Sequence, residues 1–170
     1  STTTADSSIL TITSGVSGEN LTLTGSGILG AASAGSQTIT NNNTLALADG
    51  TGLASNYTLT GATINVTINP RTLNVTLSRE YDGTTTVSGA LLTPTFDSLQ
   101  GGETLALSGT GSVASADVGS SKAVTLGTIV LVAGSGNPSN YTLNSASMDV
   151  NQRVINLDGI RAYDATTNVL

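Results

Sequence analysis

The sequence predicts an all-β protein: tandem compact antiparallel β-sandwich-like repeat units of about 82–84 residues, with a β-grasp-like unit carrying one short helix as the alternative. Three observations predict this. The composition disfavours helix, apolar residues alternate with polar ones at period two, and the same order of motifs occurs twice.

Thr, Ser, Gly and Asn dominate the chain, and all of them lose to Ala, Leu, Glu and Lys in helix interiors. The apolar residues are mostly Leu, Val, Ile and Ala, which suits strands with a thin aliphatic core. Hydrophobic residues make up 38%, above the share expected of a disordered chain.

The elements follow in order. "ENLTLTG" at 19–25 alternates as a half-buried strand does, with Leu21 and Leu23 toward a core. "NNN" at 41–43 is a turn. "ATINVTIN" at 62–69 and "RTLNVTLS" at 71–78 alternate again, placing Ile64, Val66, Ile68, Leu73, Val75 and Leu77 on inner faces. "VSGALL" at 87–92 is the one stretch with any helical character, and it is short. "ETLALSG" at 103–109 repeats the first strand. "GTIVLVAG" at 127–134 is a continuous apolar run, the pattern of a strand covered on both faces. "GSGNPSN" at 134–140 is a turn before the strand that starts at "NYTL".

The repeat is explicit. "GENLTLTGSG" at 18–27 aligns with "GETLALSGTG" at 102–111, and "SNYTL" at 55–59 with "SNYTL" at 139–143, both at an offset of 84. The offset then shortens to 82, where "NPRTLNV" at 69–75 meets "NQRVINL" at 151–157 and "REYDGTTT" at 79–86 meets "RAYDATTN" at 161–168. Three segments result: 1–70, a unit lacking its first strand; 71–152, a complete unit; and 153–170, the opening strand of a third. Such a register reads as two periods of a longer array. A β-helix would repeat near every 20 residues, so separate units are favoured over a coil.

The order tyrosine-aspartate-glycine at 81–83, "GGE" at 101–103, "GTG" at 109–111, "DVG" at 117–119 and "NYTL" at 140–143 resembles the YDG repeat of large bacterial filamentous-haemagglutinin-like secreted and surface adhesins. The likeness covers 71–152 fully and 1–70 more loosely. It implies an extracellular structural module at the bacterial cell surface, with no catalytic residues. Two places depart from the pattern: Ala165 replaces the glycine, and "SAG" at 33–35 replaces "DVG".

Composition excludes several functions. Five Lys and Arg against eleven Asp and Glu give a net charge of −6, unsuited to displacing counterions from nucleic acid. No apolar run approaches the roughly 18–20 residues that a spanning helix needs, so no membrane insertion by this segment is expected. Cysteine is absent, which removes disulfides and thiolate metal sites. A chain that opens "STTTADSS" without Met reads as a fragment or processed product, and its composition fits long proteins exported by bacteria.

No catalytic, cofactor-binding or metal residue is assigned, and no enzyme activity is expected. Tyr81 is read as anchoring a strand end in the core, with Asp82 capping a turn through its side chain. Ala165 argues against a strict need for positive φ at the glycine of that turn. "GSGILG" at 25–30 matches a dinucleotide fingerprint formally. However, the following "AASAGSQTITNNN" is too short and too rich in breakers for the helix that holds a pyrophosphate, so the glycines mark a repeated turn or bulge. Calcium between units through Asp82, Asp117 and Asp149 is the one cofactor the carboxylates leave open. Lys122, the only lysine, aligns with Thr38, which excludes a lysine crosslink shared by all units. The Asn-x-Thr sequons at Asn20, Asn56, Asn65, Asn74 and Asn140 arise from composition.

The expected function is a spacer repeat in the stalk or fibre of an adhesin. Its partners would be neighbouring repeats and laterally associating chains in a filament or biofilm matrix. The alternative is a repeated glycan-binding module that gains avidity from multiple copies. The lack of Trp and the use of four Tyr in two repeated positions count against it.

Overall fold

The structure, a computed structural model, describes residues 3–13, 15–59 and 64–160. Among these residues the regular structure is all β-strand apart from 3-10 turns of three residues each, and no helix is long and apolar enough to cross a membrane. The segment with helical character at 87–92 becomes β-strand followed by one such turn, Gly89–Leu91.

The first half contributes β1 (Thr4–Asp6), β2 (Leu21–Thr24), β3 (Ser26–Leu29), β4 (Gly35–Asn41), β5 (Ala46–Asp49) and β6 (Asn65–Ile68). A four-stranded antiparallel sheet runs β1-β3-β4-β6, and a β2–β5 ribbon lies beside it. Its core is Ala5, Leu29, Ile39 and Leu45, with Leu23 of the ribbon and Ile64, Val66 and Ile68 half-buried against them.

The second half contributes β7 (Arg71–Glu80), β8 (Thr86–Ser88), β9 (Thr95–Phe96), β10 (Leu105–Ser108), β11 (Thr110–Val113), β12 (Gly119–Thr125), β13 (Val130–Ala133) and β14 (Tyr141–Asn151). The strand order β8-β11-β12-β14 repeats that of the first half, and β10–β13 repeats the ribbon. Two strands are added beyond β14: β7, which pairs with it in parallel, and β9, which pairs with β7 antiparallel. The first and last strands of the unit thus lie side by side at the centre of a mixed sheet, the arrangement of a β-grasp sheet, with a 3-10 turn in place of a helix. Val87 of edge strand β8 shares one core with Val75 and Leu77 of β7, so the sheet curls around Leu107 of the ribbon. The largest fully buried side chains, Leu73, Leu77, Val87, Met148 and Val150, all belong to this half.

Alternation holds where it was expected. Leu73, Val75 and Leu77 are at most 2% exposed, with Asn74 and Thr76 in solvent between them. Two expectations are corrected. The run at 127–134 is not covered on both faces: Val130 and Val132 are exposed, because β13 pairs only with β10 in a two-stranded ribbon. Lys122 does not stand opposite Thr38 in the repeat. Val66 faces Gln37 and its counterpart Met148 faces Lys122, because β12 carries its bulge between Gly119 and Lys122 whereas β4 carries it between Ile39 and Asn41.

The halves meet through the two-residue link Asn69–Pro70 between β6 and β7. The backbone N–H of Ala34 also donates to Asn140 Oδ1 at 2.8 Å. After β14, residues 153–160 carry no regular structure and are exposed. The third tyrosine-aspartate stretch, with Tyr163, Asp164 and Ala165, lies outside the described residues.

Candidate functional site

The positions repeated in both halves converge on one corner of each unit. The Tyr141 hydroxyl donates to Glu103 Oε2 and accepts from the Gln100 N–H at 3.2 Å. In the first half the Tyr57 hydroxyl donates to Glu19 Oε2 at 2.6 Å and accepts from the Val16 N–H at 3.4 Å. Each donor and acceptor recurs at an offset of 84, so the "GE" and "NYTL" motifs are two ends of one interaction. Gly136 and Gly52 face these carboxylates, and a Cβ there would stand 3.0 Å and 2.6 Å from the glutamate Oε2. Burial first, and the glutamate bond second, push the Tyr141 phenol above its ordinary value of 10.0. For Tyr57 the glutamate bond is the leading cause of the same rise.

The tyrosine-aspartate-glycine turn is organised by Arg79, at the end of β7. Its Nη1 donates to Asp82 Oδ2 at 3.2 Å, Thr84 Oγ1 at 3.1 Å and the Thr86 carbonyl at 2.7 Å, and its Nη2 donates to the Thr84 carbonyl. Asp82 caps the turn through its side chain, accepting from the Thr84 N–H at 3.0 Å. That bond leads the causes holding its carboxyl below the ordinary 3.8. One expectation at this turn is corrected. Tyr81 is 40% exposed and does not anchor the core; its backbone N–H closes the sheet by donating to the Asn151 carbonyl at 2.8 Å. Gly83 does adopt positive φ, +75°, the region an L side chain enters at a cost.

The glycine fingerprint opens no helix. Gly25 and Gly109 stand between two strands at φ +80° and +84°. A Cβ would fall 2.1 Å and 2.0 Å from the carbonyl oxygens of Thr44 and Thr128.

The scattered acids are not brought together. Asp149 Oδ1 accepts from the Ser121 N–H at 2.6 Å, Asp117 Oδ2 accepts from the Ser115 hydroxyl at 2.5 Å, and Asp82 belongs to the Arg79 turn. Among the described residues no three His, Cys, Asp or Glu side chains are gathered where they could hold a metal ion. Lys122 Nζ donates to the Asp117 carbonyl. Of the sequon asparagines, Asn74 has a role sequence reasoning missed. Its Nδ2 donates to Asp97 Oδ2 at 2.7 Å, and its Oδ1 accepts from Asn144 and Ser145 at 3.0 and 2.8 Å, joining β7 to the bulge of β14 and to the segment after β9.

Residues 65–148 match the family model described as the YDG domain. No curated protein and no solved structure matches the chain.

Proposed function

With a YDG domain at residues 65–148 as the premise, we propose that this chain is a structural spacer in the stalk or fibre of a bacterial secreted or surface adhesin. Its task is reach and mechanical continuity. The observation that carries the reading is the joint between the halves: a two-residue link, Asn69–Pro70, and the Ala34–Asn140 hydrogen bond across it. A short link with a lateral contact limits bending, as a rod of tandem units requires. The repeated side chains support the same reading, because Tyr57, Tyr141, Arg79 and Asn74 take their partners from the chain itself. An extracellular location at the bacterial cell surface is part of the same proposal.

Solution scattering on chains of two, three and four units tests it. A constant gain in maximum dimension of roughly 30–40 Å per added unit is expected for compact domains of this size in a row. A dimension that barely grows means the units fold back on one another. The rod is then refuted, and a glycan screen of the alternative reading follows.

A further inference from the structure

We propose that the link between the halves is a self-cleaving bond: the side-chain amide of Asn69 attacks its own backbone carbonyl carbon and parts the chain before Pro70. This goes beyond the spacer reading and does not depend on it.

An asparagine has two intramolecular reactions open to it. In the commoner one the backbone nitrogen of the next residue attacks the side-chain carbonyl, ammonia leaves, and the chain stays whole. That route needs an N–H, and Pro70 has none. What remains is attack by Asn69 Nδ2 on the Asn69 carbonyl carbon, closing a five-membered ring. A bond forms between Nδ2 and that carbon, the C–N bond to Pro70 breaks, and the proton shed by Nδ2 ends on the prolyl nitrogen. The products are a chain ending in a cyclic imide at 69 and a chain beginning with the free amine of Pro70. No atom is lost and no co-reactant is needed; water later opens the imide. Nucleophile and target belong to one residue, so the reaction draws on proximity alone.

The structure separates the asparagines that are free to react from those that are held. The chain contains two Asn-Pro pairs, 69–70 and 137–138. Asn137 caps the 3-10 turn Pro138–Asn140: its Oδ1 accepts from the Ser139 N–H at 3.0 Å, and its carbonyl accepts from the Asn140 N–H at 3.0 Å. Its amide cannot swing back onto its own carbonyl without giving up that cap. Asn69 is exposed, lies between β6 and β7 outside regular structure, and has no side-chain hydrogen-bond partner among the described residues. Its carboxamide is therefore free to rotate through the χ1 setting that closes the ring. The exposure belongs to the position. Asn151, its counterpart at the end of β14, is exposed as well, although β7 lies beside it. There Gln152 supplies the N–H, so Asn151 takes the route that leaves the chain whole.

The location gives the reaction its consequence. The hydrophobic cores on the two sides of the link share no residue. Once the link is cut, the Ala34–Asn140 hydrogen bond faces the full entropic cost of holding two molecules together. The halves then separate, and the joint that stiffens the chain is also the place where it parts with age.

The test is to incubate the full chain warm and sterile with protease inhibitors and to follow its intact mass over weeks. Fragments of residues 1–69 and 70–170 are expected. Before the imide opens their masses add up to that of the parent, whereas a protease would add a water. Asn69→Ser should abolish the cut, since it removes the attacking nitrogen. Pro70→Ala should give an intact, deamidated chain instead, because the N–H returns. In guanidinium chloride the cap on Asn137 is lost, and both Asn-Pro bonds should then break at similar rates. A folded chain that stays whole overturns the proposal. So does a cut that persists in Asn69→Ser, or a folded chain in which the 137–138 bond breaks as fast as the 69–70 bond.

Discussion

Tyr141→Phe removes one oxygen and tests the corner on which the repeated motifs converge. The phenol donates to the Glu103 carboxylate and accepts from the Gln100 N–H, in a residue 7% exposed. A hydrogen bond to a charged group contributes about 1.5–3 kcal/mol, and a part-buried backbone donor left bare adds to the loss, so a cost of about 2–3 kcal/mol is expected. With a urea slope of about 2 kcal/mol per molar, the unfolding midpoint should fall by about 1–1.5 M. Amide exchange at Gln100 should quicken in parallel. The chain supplies its own control. Tyr57→Phe deletes the same atom from the same pair, but there Glu19 is exposed and water replaces the lost partner, so its midpoint should move far less. Equal shifts from the two variants, or no shift from Tyr141→Phe, would refute the argument that burial sets the value of this bond.

Gly109→Ala should cost about 2–5 kcal/mol in a thermal melt, combining a left-handed backbone with a Cβ 2.0 Å from the Thr128 carbonyl oxygen. Gly101→Ala, with the same sign of φ but open space, should cost only about 1–2 kcal/mol. Leu77→Ala should cost about 2–5 kcal/mol, because the side chain is 1% exposed in the core of the complete unit. The Asn74 side chain first, and its backbone N–H second, hold the Asp97 carboxyl below the ordinary 3.8. Its stabilisation is present above 3.8 and lost as pH falls through the lower folded value. Urea midpoints of Asp97→Asn should therefore lie below those of the parent at neutral pH and converge with them in strong acid.

Much of the fold is local and was legible. Leu73, Val75 and Leu77 announce a strand by alternation alone, and the two copies of "NYTL" announce the unit length. What was hidden is non-local. The pairing of β7 with β14 joins residues about 70 positions apart and leaves no mark in either strand. β9 is a strand only because β7 offers it an edge. The compensating bulges of β4 and β12 keep the overall offset and so conceal the shift of Lys122 from Thr38 to Gln37. At the candidate sites, the Tyr–Glu pair could have been found, since both members recur with a spacing of 38 residues in each copy. The Arg79 turn was half legible: Asp82 read correctly as a cap, while Tyr81 was misplaced because an aromatic at a strand end looks like core.

The parallel union of β7 and β14 decides how the complete unit meets a pull along the chain. Arg71, where the chain enters, lies beside Tyr141, and Asn151, where it leaves, lies beside Glu80. Tension applied at the entry and the exit therefore slides one strand lengthwise along the other. The ten paired positions share that load together, whereas an antiparallel pair held at adjacent ends would unzip one bond at a time. Strand direction, rather than the size of the core, makes this unit a shear clamp.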